Sequence, residues 1–141
     1  MTLPQRSPQA IAITPGDPCG IGPEIILKAF RDAPEQMQGC VVVGDMAVMQ
    51  RAALLVAQCD YHAPHMQLQR VSDVREAAQV KAPFTIPVLQ VTAPLTAEQL
   101  PAWGRISATA GQLAADCVVW AAHAALRGEV SALVTAPLHK E

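Results

Sequence analysis

The chain has 141 residues, about the length of one domain and enough to bury a core. With 51% apolar, 16% charged and 4% aromatic residues it is an aliphatic globular sequence, which excludes intrinsic disorder. Ten basic side chains against twelve acidic ones give a net charge of −2 with no basic run. Nucleic acid and anionic membranes are therefore not expected partners. The first residues hold no apolar segment of signal-peptide length, and no run of about 18 apolar residues occurs, so a cytoplasmic location is expected.

In chain order, residues 1–9 are polar with two prolines and read as a loose tail. Residues 10–14 (Ala-Ile-Ala-Ile-Thr) read as a buried strand. A turn follows that carries three glycines (Gly16, Gly20, Gly22) and one acid (Asp17), and a helix opens at Pro23. Proline suits the first helical position, and Glu24 beside it complements the helix dipole. That carboxylate also takes the positive helix end a phosphate would otherwise favour. Residues 39–44 form a second aliphatic strand closing on Asp45, and 46–58 a helix apolar at Met49, Ala52, Ala53, Val56 and Ala57. Strand, helix, strand, helix predicts a mostly parallel sheet with flanking helices, an α/β fold.

Residues 66–71 alternate loosely and suit an edge strand; 74–80 suit a short helix. Residues 86–92 are strand-like, with Pro87 arguing against a central position. Residues 94–101 read as a connector. A long helix is expected over 109–127, with Thr109 and Gln112 as a capping box, Gly128 as its stop, and Leu113, Cys117, Trp120, Ala121 and Ala124 as its buried stripe. Residues 130–136 complete a last strand.

Several residue types could carry chemistry. The glycines read G-x-x-x-G-x-G, neither a Rossmann fingerprint nor a P-loop, and such a turn is as readily a tight βα connection as a ligand loop. Asp17, Asp45 and the segment bearing Thr135, His139 and Lys140 all follow carboxyl ends of expected parallel strands, the edge where open α/β sheets bind ligands. Lys140 could meet a phosphate or carboxylate, and His139 could supply a proton or hydrogen bond. His62 and His65, three apart around Pro64, fit a solvated loop better than a metal pair, and His123 fits a packed or surface histidine. The four cysteines are scattered, with Cys40 and Cys117 among aliphatic residues as buried thiols and Cys19 in the glycine turn.

Two motifs taken together resemble one family. Residues 13–24 (ITPGDPCGIGPE) are similar to the opening signature of the 4-hydroxythreonine-4-phosphate dehydrogenase family (PdxA), and residues 133–141 (LVTAPLHKE) to its mid-chain segment. Gly104-Arg105-Ile106-Ser107 and the helix from Gly111 also fit its pattern. Cys19 stands where the family usually has alanine, and His139 where many members have asparagine.

The resemblance implies an isocitrate/isopropylmalate-dehydrogenase-like fold of which residues 1–141 form the N-terminal α/β portion. It implies NAD-dependent oxidation, with decarboxylation, of 4-phosphohydroxy-L-threonine or a related four-carbon phospho-hydroxyacid, in pyridoxal phosphate biosynthesis or a related pathway. It also implies a homodimer and a divalent metal (zinc, magnesium or cobalt). The metal-binding histidines and the Gly-His-Thr segment of the family lie beyond the residues present, so no metal ligand is assigned here. Only Gly16, Gly20, Gly22, Asp17, Thr135, His139 and Lys140 align near the family's cleft. On this basis these residues alone are expected to be inactive and to self-associate through uncovered apolar surface. The alternative is a non-catalytic α/β domain that binds a nucleotide or a protein partner.

Overall fold

The computed structural model describes residues 9–81 and 83–139, so the expected tail and Lys140 lie outside the described residues, Gln9 apart. Five strands form one parallel sheet: β1 (Ala10–Thr14), β2 (Cys40–Gly44), β3 (Gln67–Val71), β4 (Thr85–Gln90) and β5 (Val130–Thr135), in the order β3-β4-β2-β1-β5. The helices are α1 (Gly22–Asp32), α2 (Met46–Cys59), the single turn α3 (Val74–Ala77) and the long α4 (Ala108–Leu126), with a short 3-10 turn at Ala97–Gln99. None of these helices is long and apolar enough to cross a membrane.

Strand order explains which face each helix covers. From β1 to β2 and on to β3 the chain steps one way across the sheet; from β3 to β4 and then to β5 it steps back. Parallel crossovers are right-handed, so a reversal of direction moves the connecting helix to the other face. Accordingly α1 and α2 bury Ile26, Leu27, Phe30, Met49 and Ala52 against Ile13, Val42 and Val88. On the opposite face α3 and α4 bury Val74, Ala77, Ala121 and Ala124 against Ala10, Ala12, Val41, Val43 and Leu89. Strand β2 is buried along its whole length, as a continuous Val-Val-Val run at the centre of a two-sided sheet requires.

Three details differ from expectation. Pro87 lies in β4, which sits between β3 and β2 rather than at an edge. The β2 ladder begins at Val88, one residue after the proline, so the missing N–H falls outside that pairing. Helix α4 is capped by Ser107, whose hydroxyl accepts from the Ala110 N–H at 3.4 Å, while Gln112 reaches forward to Asp116. Ser107 is in extended backbone and Thr109 already lies inside the helix, which decides the cap. Within the expected stripe Cys117, Ala121 and Ala124 are buried and Leu113 and Trp120 are half-buried, with Ala110 and Ala114 completing it.

The sheet is unequally covered. On the α1 side of β5, Ala132 is exposed and Val134 leaves about half its surface open (51%), and Ile25 of α1 is exposed at 43%. These uncovered apolar residues lie along an edge strand, the kind of surface other chain segments normally pair with or cover.

Candidate functional site

The glycine turn joins the end of β1 to α1 and is packed against the chain leaving β5. Gly16 has φ +70°, and a Cβ there would lie 2.3 Å from the Pro137 carbonyl oxygen. At Gly22 a Cβ would lie 1.9 Å from the Pro15 carbonyl oxygen. These two glycines let backbone approach backbone, and the Asp17 N–H and Ala136 N–H seal the contact by donating to Pro137 and Thr14 carbonyls at 3.1 and 2.9 Å. Gly20 differs. Its φ is ordinary, and a Cβ there would meet Asp17 atoms only at 3.5 Å or beyond, normal van der Waals distances. Packing therefore explains two glycines of the three.

Asp17 is half-buried, and its Oδ1 accepts the Cys19 N–H at 2.9 Å, fixing the turn. It lines a cavity of about 440 Å³ with Leu138, His139 and the first turn of α4, including Ser107 and Gly111. The opening of α4 gives this cavity the positive end of a 19-residue helix. Asp17, His139 and a helix N-terminus thus converge at the carboxyl edge of a parallel sheet. A carboxylate can accept from hydroxyls, and a helix end favours anions such as phosphate.

Not every expected residue joins this group. Thr135 is exposed, and its hydroxyl donates to the Ala136 carbonyl at 2.9 Å rather than lining the cavity. His62 and His123 are exposed surface residues, and His65 lines a separate groove between α2 and β3. All four cysteines are free, and Cys19 is buried with its thiol pushed up by burial and then by Asp17. Among the described residues no group of three His, Cys, Asp or Glu could hold a metal. Asp17 and His139 are two donors, short of a closed site, so the described residues do not fit a metal centre on their own.

Asp45 occupies the corresponding corner after β2 but stands differently. It is 2% exposed, caps α2 through the Val48 N–H, and accepts from Gln90 Nε2 and the Leu95 N–H at 2.8 and 3.0 Å. Strands β2 and β4 send their chains to opposite faces, the crevice where a ligand is anticipated. Here the protein's own hydrogen bonds fill it.

Sequence reasoning met Ser107 and Gly111 only as part of the family pattern and gave them no place in the site, which required the true start of α4; it passed over Arg51, which has no local signature. Arg51 reaches from α2 to the Pro18 and Pro101 carbonyls and stacks on Trp103, 4.0 Å from the ring centroid.

Comparison with known proteins supplies a lineage for this geometry. Residues 36–141 match the family described as "Pyridoxal phosphate biosynthetic protein PdxA". The chain belongs to the PdxA family. A 4-hydroxythreonine-4-phosphate dehydrogenase of Beijerinckia indica is 40% identical over 131 residues, 93% of this chain and 35% of the relative. A D-threonate 4-phosphate dehydrogenase of Salmonella typhimurium is 40% identical over 133 residues, 94% of this chain and 38% of the relative. The crystal structure of a 4-hydroxythreonine-4-phosphate dehydrogenase from Klebsiella pneumoniae superposes with TM-score 0.78 at 38% identity, covering 94% of this chain and 38% of that one. The chain therefore spans well under half the length of the PdxA relatives it matches. The PdxA match begins after the glycine turn, whereas these pairwise similarities take in nearly the whole chain.

Proposed function

We propose that this chain supplies one wall of the active site of an NAD-dependent dehydrogenase acting on a four-carbon phospho-hydroxyacid, such as 4-phosphohydroxythreonine or threonate 4-phosphate. The observation that carries this reading is the cavity shared by Asp17, His139 and the start of α4, in a chain 40% identical to two dehydrogenases named for such substrates.

Oxidation of a hydroxyl requires three services: an acceptor for the hydride, an acceptor for the proton, and a hold on the anionic ends of the substrate. Bound NAD would take the hydride. The α4 N-terminus suits an anionic group, Asp17 suits a substrate or ribose hydroxyl, and His139 is the side chain of this cavity best able to relay a proton. A divalent metal, on this reading, would be held by residues outside those described and would polarise the reacting hydroxyl, and a homodimer would complete the cleft. On this reading residues 1–141 alone do not turn over, for they hold one wall of the cleft.

The test is an absorbance assay for NADH with the whole open reading frame that contains these residues. It is run with a divalent cation and, in turn, 4-phosphohydroxythreonine, threonate 4-phosphate and erythronate 4-phosphate. Turnover of one of these, lost on removal of the phosphate, supports the reading. Failure with all three sinks it.

A further inference from the structure

Arg51 lines no part of the cavity, yet its side chain ties together the two segments that do. Its Nη2 donates to the Pro18 carbonyl at 2.8 Å and its Nη1 to the Pro101 carbonyl, while the guanidinium plane lies on the Trp103 ring. The Gly104 N–H closes the strap from the other side by donating to the Cys19 carbonyl at 2.8 Å. Pro18 is the neighbour of Asp17, and Trp103 stands four residues before Ser107, the cap of α4. The turn comes from the β1–α1 connection and the strap from the β4–α4 connection, so no regular hydrogen-bond ladder holds one to the other. Among the described residues, apart from the Gly104 bond, one guanidinium from α2 does so.

We infer that Arg51 is a positioning residue: it sets the separation between the glycine turn carrying Asp17 and the N-terminus of α4, and hence the width of the cavity between them. Only a planar fork serves this purpose. Two carbonyls lying in different directions and an aromatic face need separate donors and a flat cation, and a lysine ammonium supplies one point charge. The role in catalysis rests on the dehydrogenase reading above; the geometric role does not.

Cys19 and Cys117 provide a two-clock experiment on the full chain. Cys19 is buried beneath the strap and Cys117 is buried within α4 far along the helix; the other two cysteines would be replaced throughout, the exposed Cys59 by serine and the buried Cys40 by alanine. The labelling rate of each thiol by a disulfide reagent is followed in the wild type, Arg51→Lys and Arg51→Ala. Arg51→Lys keeps the charge, so it remains informative should Arg51→Ala fail to fold.

Cys19 is expected to label at least about tenfold faster in Arg51→Lys with Cys117 unchanged, the pattern of a local opening. With Trp120 replaced by phenylalanine, Trp103 emission should shift to the red in the same variant. Both thiols accelerating together, or neither, would overturn the inference. In the NADH assay Arg51→Lys should raise KM by several-fold while changing kcat less; a faster Cys19 with KM unmoved would reduce Arg51 to a structural strut and also overturn it. Should the unaltered protein show no turnover, the dehydrogenase reading falls, and the thiol rates and Trp103 emission decide the positioning role alone.

Discussion

Two acid-bearing corners stand at neighbouring strand ends, and they do opposite things. Asp45, after β2, is buried and commits its carboxylate to a helix cap, a glutamine side chain and a loop N–H. Asp17, after β1, accepts from Cys19 alone among the described residues and lines an open cavity. Both lie where an open parallel sheet could bind a ligand. What separates them is whether the protein's own donors already saturate the oxygens. Position marks a candidate corner; hydrogen-bond saturation decides whether the corner serves the fold or a ligand.

The sharpest way to break this comparison is to remove the saturated acid. Asp45→Ala deletes the α2 cap and leaves Gln90 and the Leu95 N–H without their buried acceptor, so we expect a loss of about 4 kcal/mol. Urea unfolding followed by far-UV circular dichroism measures it; a loss below about 1 kcal/mol would mean that water can substitute and that the two corners are alike.

The glycines sharpen the Asp17 side. Gly16→Ala and Gly22→Ala each drive a methyl into backbone carbonyls, and Gly16→Ala adds a strained φ, so each should cost about 3 kcal/mol. Gly20→Ala should cost less than about 1 kcal/mol, since its Cβ meets only normal contacts. If Gly20→Ala nevertheless abolishes turnover while folding normally, the absent side chain at that position makes room for a ligand.

A third test uses pH and the helix that borders both corners. Cys117 is buried in α4, and burial, then Asp116 and Asp45, push its thiol from 9.0 up to about 12. The folded state thus holds this proton more tightly than the unfolded chain. Stability from this source is fully present below about pH 9 and declines as pH rises from 9 towards 12, by about 2 kcal/mol at pH 10.5. Comparing urea midpoints at pH 8 and 10.5, the wild type should lose more than Cys117→Ala by that margin. Equal losses would show that the thiol is not desolvated in the folded state.

Much of this arrangement is legible in the sequence. The strand–helix alternation, the edge position of residues 66–71, the buried thiols and the Gly128 stop of α4, with φ +74°, follow from period, composition and turn chemistry. So does the placement of Asp17 and His139 at one sheet edge. The inner position of β4 was hidden because Pro87 argues for an edge, and only the register at Val88 removes the conflict. The α4 cap was hidden because Ser107 and Thr109 are both good caps two residues apart. The Arg51 strap was hidden for a deeper reason: its partners lie 33 and 50 residues away, and carbonyl acceptors carry no side-chain signature. The contrast between Asp45 and Asp17 depends equally on long-range donors from residues 90 and 95.

The finest test replaces Asp17 by asparagine. The amide oxygen can still accept the Cys19 N–H, so the turn keeps its shape and only the charge facing the cavity is lost. Stability should therefore change by less than about 0.5 kcal/mol, against the several expected at Asp45. In the proposed dehydrogenase the same change should slow turnover by at least about tenfold, because an amide cannot hold the charge that orients a hydroxyl donor beside the positive end of α4. A stable variant with undiminished turnover would remove Asp17 from the site and leave its corner a turn-forming device. A variant that unfolds as readily as Asp45→Ala would show that Asp17 serves the fold after all, with donors beyond the Cys19 N–H. Only the combination of intact stability and lost turnover preserves the distinction between the saturated corner and the open one.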